Sequence, residues 1–180
     1  MKNKNISIRL GLALMASLFS VSVGASVTSD TVFTATIGQP SCSVSIPSNI
    51  DLGEINPGST KHPTPFNIGV NCSGTAPTIL WAKAKNGVID SWGGGNIAHI
   101  EVDGKVPEPD KATKFSMYSG IPGDAIYGLD LTGLGERPGG PGFCPGNVTR
   151  TCPVKPVLQA SKNAEAGNGT VTIIFNLRHE

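Results

Sequence analysis

The chain has 180 residues, a length that fits one ordinary domain, and carries 14 Lys and Arg against 13 Asp and Glu for a net charge of +1. That balance excludes a strongly basic or acidic binder, so neither nucleic acid nor an anionic membrane surface is an expected partner. Its 23 glycines and 14 prolines are well scattered, as turns between short strands require.

The first residues read as a secretory signal. Lys2, Lys4 and Arg9 make a positive start, and an apolar run occupies residues 10–23. Val23-Gly24-Ala25 then fits the small-residue cleavage rule. A run of about 14 residues is short of the roughly 20 that span a bilayer. Residues 1–25 are therefore expected to be removed. Losing three basic residues leaves 11 cationic side chains against 13 anionic ones, a net of −2 for residues 26–180.

Residues 27–37 come next and alternate. Val27, Ser29, Thr31, Phe33, Ala35 and Ile37 share one face, and Gly38-Gln39-Pro40-Ser41 follow as a swivel. Cys42-Ser43-Val44-Ser45-Ile46 alternates too, as does Phe66-Asn67-Ile68-Gly69-Val70-Asn71-Cys72. Shorter strand candidates are 78–84, 97–102, 114–118, 125–131 and 156–160, and 170–177 close the series. Residues 133–146, rich in Gly and Pro, read as a long surface loop. Trp81, inside an apolar strand, is expected in the core. Trp92, beside Gly93-Gly94-Gly95, is expected at the surface and is the better candidate for ligand contact. Many short strands with frequent turns, no amphipathic helix and no internal repeat predict an all-β sandwich.

Export changes the reading of Cys42, Cys72, Cys144 and Cys152. In an oxidising compartment an even count implies two disulfides, with three possible pairings. Cys42–Cys72 with Cys144–Cys152 closes the shortest loops and is the preferred set. The first closes a loop of about 30 residues, worth roughly 3–4 kcal/mol. No Cys-x-x-Cys occurs, and His62, His99 and His179 lie far apart, so neither a metal nor a cofactor is expected. No Gly-x-Ser-x-Gly elbow or phosphate loop is present, and no catalytic residue is assigned.

The last segment alternates as well. Val171, Ile173, Phe175 and Leu177 share a face that Gly167 and Gly169 continue, with Thr170, Thr172 and Asn176 opposite and Ile174 the exception. The domain is expected to end on this strand, with no later strand to pair it.

These features together resemble the fimbrial (pilin) subunits of the chaperone–usher pathway of Gram-negative bacteria. The resemblance covers essentially all of residues 26–180. It rests on the extension before a first cysteine and on the second cysteine about 30 residues on, at the end of Phe66-Asn67-Ile68-Gly69-Val70-Asn71-Cys72. It rests also on Ile50-Asp51-Leu52-Gly53-Glu54-Ile55, and on Gly167 as fourteenth residue from the end before an alternating strand. Three positions depart from the family pattern. His179 stands where the penultimate tyrosine is usual, Ala35 stands where glycine often precedes the first cysteine by seven residues, and Cys144 and Cys152 are additional.

The resemblance implies an incomplete immunoglobulin-like sandwich lacking its last strand. Residues 26–41 would be a donor extension and 42–180 the pilin domain. Val27, Ser29, Thr31, Phe33, Ala35 and Ile37 would enter the groove of a neighbouring subunit. Gly167, Gly169, Val171, Ile173, Phe175, Leu177 and His179 would form that groove's edge and the site of a periplasmic chaperone. An outer-membrane usher, neighbouring pilin subunits and a host receptor are the further expected partners, and the cell surface the destination. A minor adaptor or tip-proximal adhesive subunit is the alternative within the family. A free-standing secreted immunoglobulin-like binding domain is the alternative outside it.

Overall fold

A computed structural model of the chain describes residues 40–90, 94–124 and 128–180. The expected signal segment, the face of Val27, Ser29, Thr31, Phe33, Ala35 and Ile37, and Trp92 lie outside the described residues. Eleven strands are present among those described. In chain order they are β1 (Cys42–Ser45), β2 (Thr60–Lys61), β3 (Phe66–Cys72), β4 (Thr78–Ala84), β5 (Ile97–His99) and β6 (Glu101–Val102). There follow β7 (Thr113–Ser119), β8 (Phe143–Gly146), β9 (Arg150–Ala160), β10 (Gly169–Thr170) and β11 (Ile173–His179). A 3-10 turn at Leu134–Glu136 precedes β8, and no α-helix occurs among the described residues.

All strand pairs are antiparallel. One sheet runs β1-β3-β9-β7-β5, with β2 against the end of β9, and a second runs β11-β4-β8. A two-residue pairing joins β10 to β6. The predicted period of two is what brings the sheets together. Ile68 and Val70 of β3, Phe115 and Met117 of β7, and Val154 and Leu158 of β9 meet Leu80 and Ala82 of β4 and Phe143 of β8 in one core. This is the arrangement of a β-sandwich. Each such aliphatic or aromatic side chain, fully buried, contributes about 1.5–3 kcal/mol.

The cysteines pair as preferred. Cys42 and Cys72 lie directly opposite each other in the β1–β3 register, with Cα atoms 4.1 Å apart. Cys144 and Cys152, with Cα atoms 5.9 Å apart, join β8 to β9 and so bridge the two sheets. Both lie inside the core, 1% and 0% exposed. Arg150 reinforces this junction. Its Nε donates to Cys144 O and its Nη2 to Thr78 O, at 2.9 and 3.0 Å.

Residues 133–146 are therefore not a surface loop throughout. Phe143 and Cys144 pack in the core, and β8 pairs with β4. The preceding stretch folds over the sheet. A methyl group on Gly135 would collide with Trp81 and with Pro141 O. Trp81 is buried as expected, but on the face of β4 opposite Leu80 and Ala82, beneath this turn rather than between the sheets.

Three other strands differ from their sequence reading. The 156–160 strand begins at Arg150; Pro153 lies at the end of the β7 pairing, where its O still accepts from Gly120 N–H at 2.8 Å, and Pro156 lies where β9 pairs only with β7. A missing N–H costs no ladder bond when it faces an unpaired flank. The 97–102 strand breaks at Ile100, after which β6 pairs with β10. Of 125–131, residues 125–127 lie outside the described set. Leu129 and Leu131 are buried but join different partners, donating to Met117 O and Gly95 O.

Candidate functional site

β11 pairs with β4 from Ile173 opposite Ala84 to His179 opposite Thr78. It ends its sheet, so its other backbone edge has no strand partner among the described residues. β1 ends the facing sheet in the same way. Between the 46–57 segment that follows β1 and the 167–175 segment that leads into β11 lies a trough. A cavity of about 580 Å³ is bounded by Ile46, Leu52, Phe66, Met117, Val171 and Phe175. A second cavity, also about 580 Å³, continues it past Leu52 and Gly169 to Ile100, Val102, Leu158 and Gly167.

The trough opens onto the core. Ile68, Val70, Leu80 and Val154 are all 0% exposed. Val44, Ile46, Leu52, Phe66, Val171, Ile173, Phe175 and Leu177 pack against the same core yet stay only half-buried. Phe175 meets Phe66 and Phe143 edge-on, each at a centroid distance of 6.3 Å, and so forms an aromatic floor.

Local chemistry holds the wall. At Gly169 a Cβ would come within 2.9 Å of the Ile100 side chain, and at Gly167 it would collide with Val102 and Asp103. The two glycines thus let the chain lie close on β6. At the joint between β10 and β11, Thr172 O accepts from Lys85 N–H at 2.8 Å, while Thr172 N–H donates to Asn86 Oδ1 at 2.6 Å. Asn86 Nδ2 in turn donates to Glu101 Oε2 at 2.8 Å. On the far side of the trough, Asp51 Oδ1 accepts from Gly53 N–H at 2.8 Å and Lys61 Nζ donates to Glu54 O at 2.9 Å.

The structure brings Val171, Ile173, Phe175 and Leu177 onto one inward face, as the alternation predicts, with Gly167 and Gly169 beside the second cavity. The 170–177 strand is not continuous, however. Residues 169–170 serve β6 and 173–179 serve β4. His179 is exposed at the end of β11, opposite Thr78, and borders neither cavity. Cys42, Cys72, Cys144 and Cys152 hold the frame without touching the trough. Ile100, Val102 and Met117 were not assigned to a site from sequence. Val102 and Met117 come from β6 and β7 and Ile100 from the break before β6, and only the fold brings them to the trough. Among the described residues no cluster of His, Cys, Asp or Glu is placed to hold a metal ion.

An unpaired strand edge beside an open apolar trough offers the backbone groups and apolar surface that an added extended strand could pair with and bury. Main-chain ladder bonds supply affinity and alternate side chains supply fit. Compared with known proteins, the chain matches no family model and no curated protein.

Proposed function

We propose that this chain is a structural subunit of a chaperone–usher pilus, and that its trough takes up the extended 27–37 segment of a neighbouring subunit. One observation carries the reading: among the described residues a long apolar trough opens onto the core between residues 46–57 and the 167–175 segment, beside the unpaired edge of β11. The proposed occupant fits that trough. Eleven residues in extended form reach about 36 Å. Val27, Phe33 and Ile37 bring apolar bulk, each worth about 1.5–3 kcal/mol on burial. Alternate small side chains, Ser29, Thr31 and Ala35, leave room for Ile173 and Phe175 on the wall.

On this reading the immunoglobulin-like sandwich is incomplete by itself, and a periplasmic chaperone shields the trough during transit. An outer-membrane usher then exchanges the chaperone for the next subunit's strand, building a surface fibre that supports adhesion. The Cys42–Cys72 bridge anchors β1, the strand that leads directly out of the 26–41 extension.

The test is made on the oxidised protein after signal removal. Light scattering should show growing assemblies for the parent chain and a monomer for the Phe33→Asp, Ile37→Asp double variant. Adding a peptide of residues 26–41 should raise the double variant's melting temperature by about 10 °C at saturating concentration. Assembly of the double variant to the parent's size, or a melt indifferent to the peptide, would overturn the reading.

A further inference from the structure

The wall of the trough changes its inner partner midway, from β6 at Gly169–Thr170 to β4 at Ile173–His179. Such a change can break an edge, because the two halves need not turn the same main-chain groups outward. Here they do. Asn168 O accepts from Asp103 N–H at 3.0 Å, and Thr172 O accepts from Lys85 N–H at 2.8 Å. A trans peptide points its C=O and its N–H in opposite directions. The N–H groups of Gly169 and Ile173 therefore both point away from the partner strands. Asn168 N–H donates to Asp103 Oδ1 at 3.2 Å and Thr172 N–H to Asn86 Oδ1 at 2.6 Å, which turns Gly167 O and Val171 O the same way. At the far end Glu180 N–H donates to Pro77 O at 3.0 Å, and His179 O follows. The antiparallel register carries the alternation through Phe175 and Leu177. Odd-numbered residues from Gly167 to His179 thus present one row of donors and acceptors on the side away from β6 and β4.

Asn86 joins the two halves. β4 ends at Ala84, and Lys85 N–H gives the last main-chain bond before the chain turns at Gly87, with φ 82°. The Asn86 side chain then takes Thr172 N–H in place of a main-chain carbonyl. Glu101, on β6, accepts from Asn86 Nδ2 through Oε2 at 2.8 Å and from Gly87 N–H through Oε1 at 3.3 Å. A carboxylate only accepts, so the amide turns its nitrogen to Glu101 and its oxygen to Thr172. Glu101 also stands opposite Thr170 in the β6–β10 pairing. One side-chain pair stitches β4 to β6 at the point where the wall passes from one to the other.

We propose that Asn86 and Glu101 are positioning residues for strand uptake, holding β10 in line with β11 so that a strand in the trough pairs past Thr172 as far as Gly169. The inference rests on the strand-accepting reading, with residues 27–37 of a neighbouring copy as the occupant. β11 has 7 residues, so alone it leaves four of the occupant's eleven without an edge. β10 supplies the remainder.

The experiment uses the oxidised full chain carrying Phe33→Asp and Ile37→Asp as parent, a peptide of residues 26–41 as probe, and amide hydrogen exchange as readout. Bound peptide should slow exchange at both Gly169 and Ile173 by about tenfold or more. Slowing at Ile173 without slowing at Gly169 would overturn the proposal, and this comparison needs no change at Asn86 or Glu101. Asn86→Ala should keep the protection of Ile173, lose that of Gly169, and weaken binding about tenfold, as the loss of one or two ladder bonds would. A lowered melting temperature in Asn86→Ala with Gly169 still protected by the peptide would mean a structural role only, and would also overturn it. Asn86→Asp sets two carboxylates together and should bind as poorly as Asn86→Ala. Adding Glu101→Gln to it restores every bond of the pair with donor and acceptor exchanged, and should return binding to within about twofold of the parent. Where a variant fails to fold, the parent's two amides decide. Peptide binding absent from the parent itself sinks the strand-accepting reading, and this proposal with it.

Discussion

His99 shows how a single side chain can tie stability to pH. Burial lowers its pKa from the usual 6.5, Lys114 lowers it further, and Asp90 opposes both. The folded protein therefore accepts the proton less readily than the unfolded chain does. The sign follows: stability is full above about pH 6.5 and declines as the pH falls below it, where the unfolded chain binds the proton and the fold resists. Thermal melts of the full chain should drop between about pH 7.5 and pH 5.5, and His99→Gln should remove much of that drop. None of this was legible in the sequence. His99 sits in the short run Ile97-Ala98-His99-Ile100, and neither Asp90 nor Lys114 is a local neighbour. Phe175 is the contrary case. Its alternation with Ile173 and Leu177 announced an inward face, and the structure sets it against Phe66 and Phe143.

At the scale of the strand, period-two alternation was a reliable guide wherever one element served one partner. The 66–72 run became β3 with the bounds the alternation suggested, and 114–118 became β7 with one residue added at each end. Strands that change partner midway were harder to read. β9 serves β3 with its first half and β7 with its second, so two prolines sit inside a central strand and its N-terminal half was missed. β8 was hidden by the Gly- and Pro-rich stretch around it, although Phe143-Cys144 is the kind of pair a core takes in. The consequence is testable at Cys144–Cys152. Its eight-residue separation gives only about 2.5 kcal/mol from loop entropy. Replacing both cysteines with alanine also empties a sealed site between the sheets. The expected cost in chemical denaturation is about 3–5 kcal/mol, more than loop length alone implies. A cost below about 2 kcal/mol would mean that β8 holds its place by packing alone.

At the scale of the molecule, the all-β class and the two disulfides were legible because they follow from composition, periodicity and cysteine count. The trough was only half legible. Its β11 wall came from alternation, whereas its other wall, residues 46–57, has no regular period and takes its place only through the fold. The Cys42–Cys72 bridge has a further consequence under mechanical load. A fibre joined through 27–37 and β11 would carry tension into each subunit near Cys42 and out along β11. The two bridges short-circuit stretches of 30 and 8 residues. Of the roughly 137 residues between Cys42 and His179, only about 100 can then pay out, so an unravelled subunit lengthens to about 340 Å rather than about 470 Å at some 3.4 Å per residue. Single-molecule pulling should give the shorter contour in oxidised protein and the longer one after reduction. The bridges would thus act as stops that cap how far any one subunit yields before the load passes to the next.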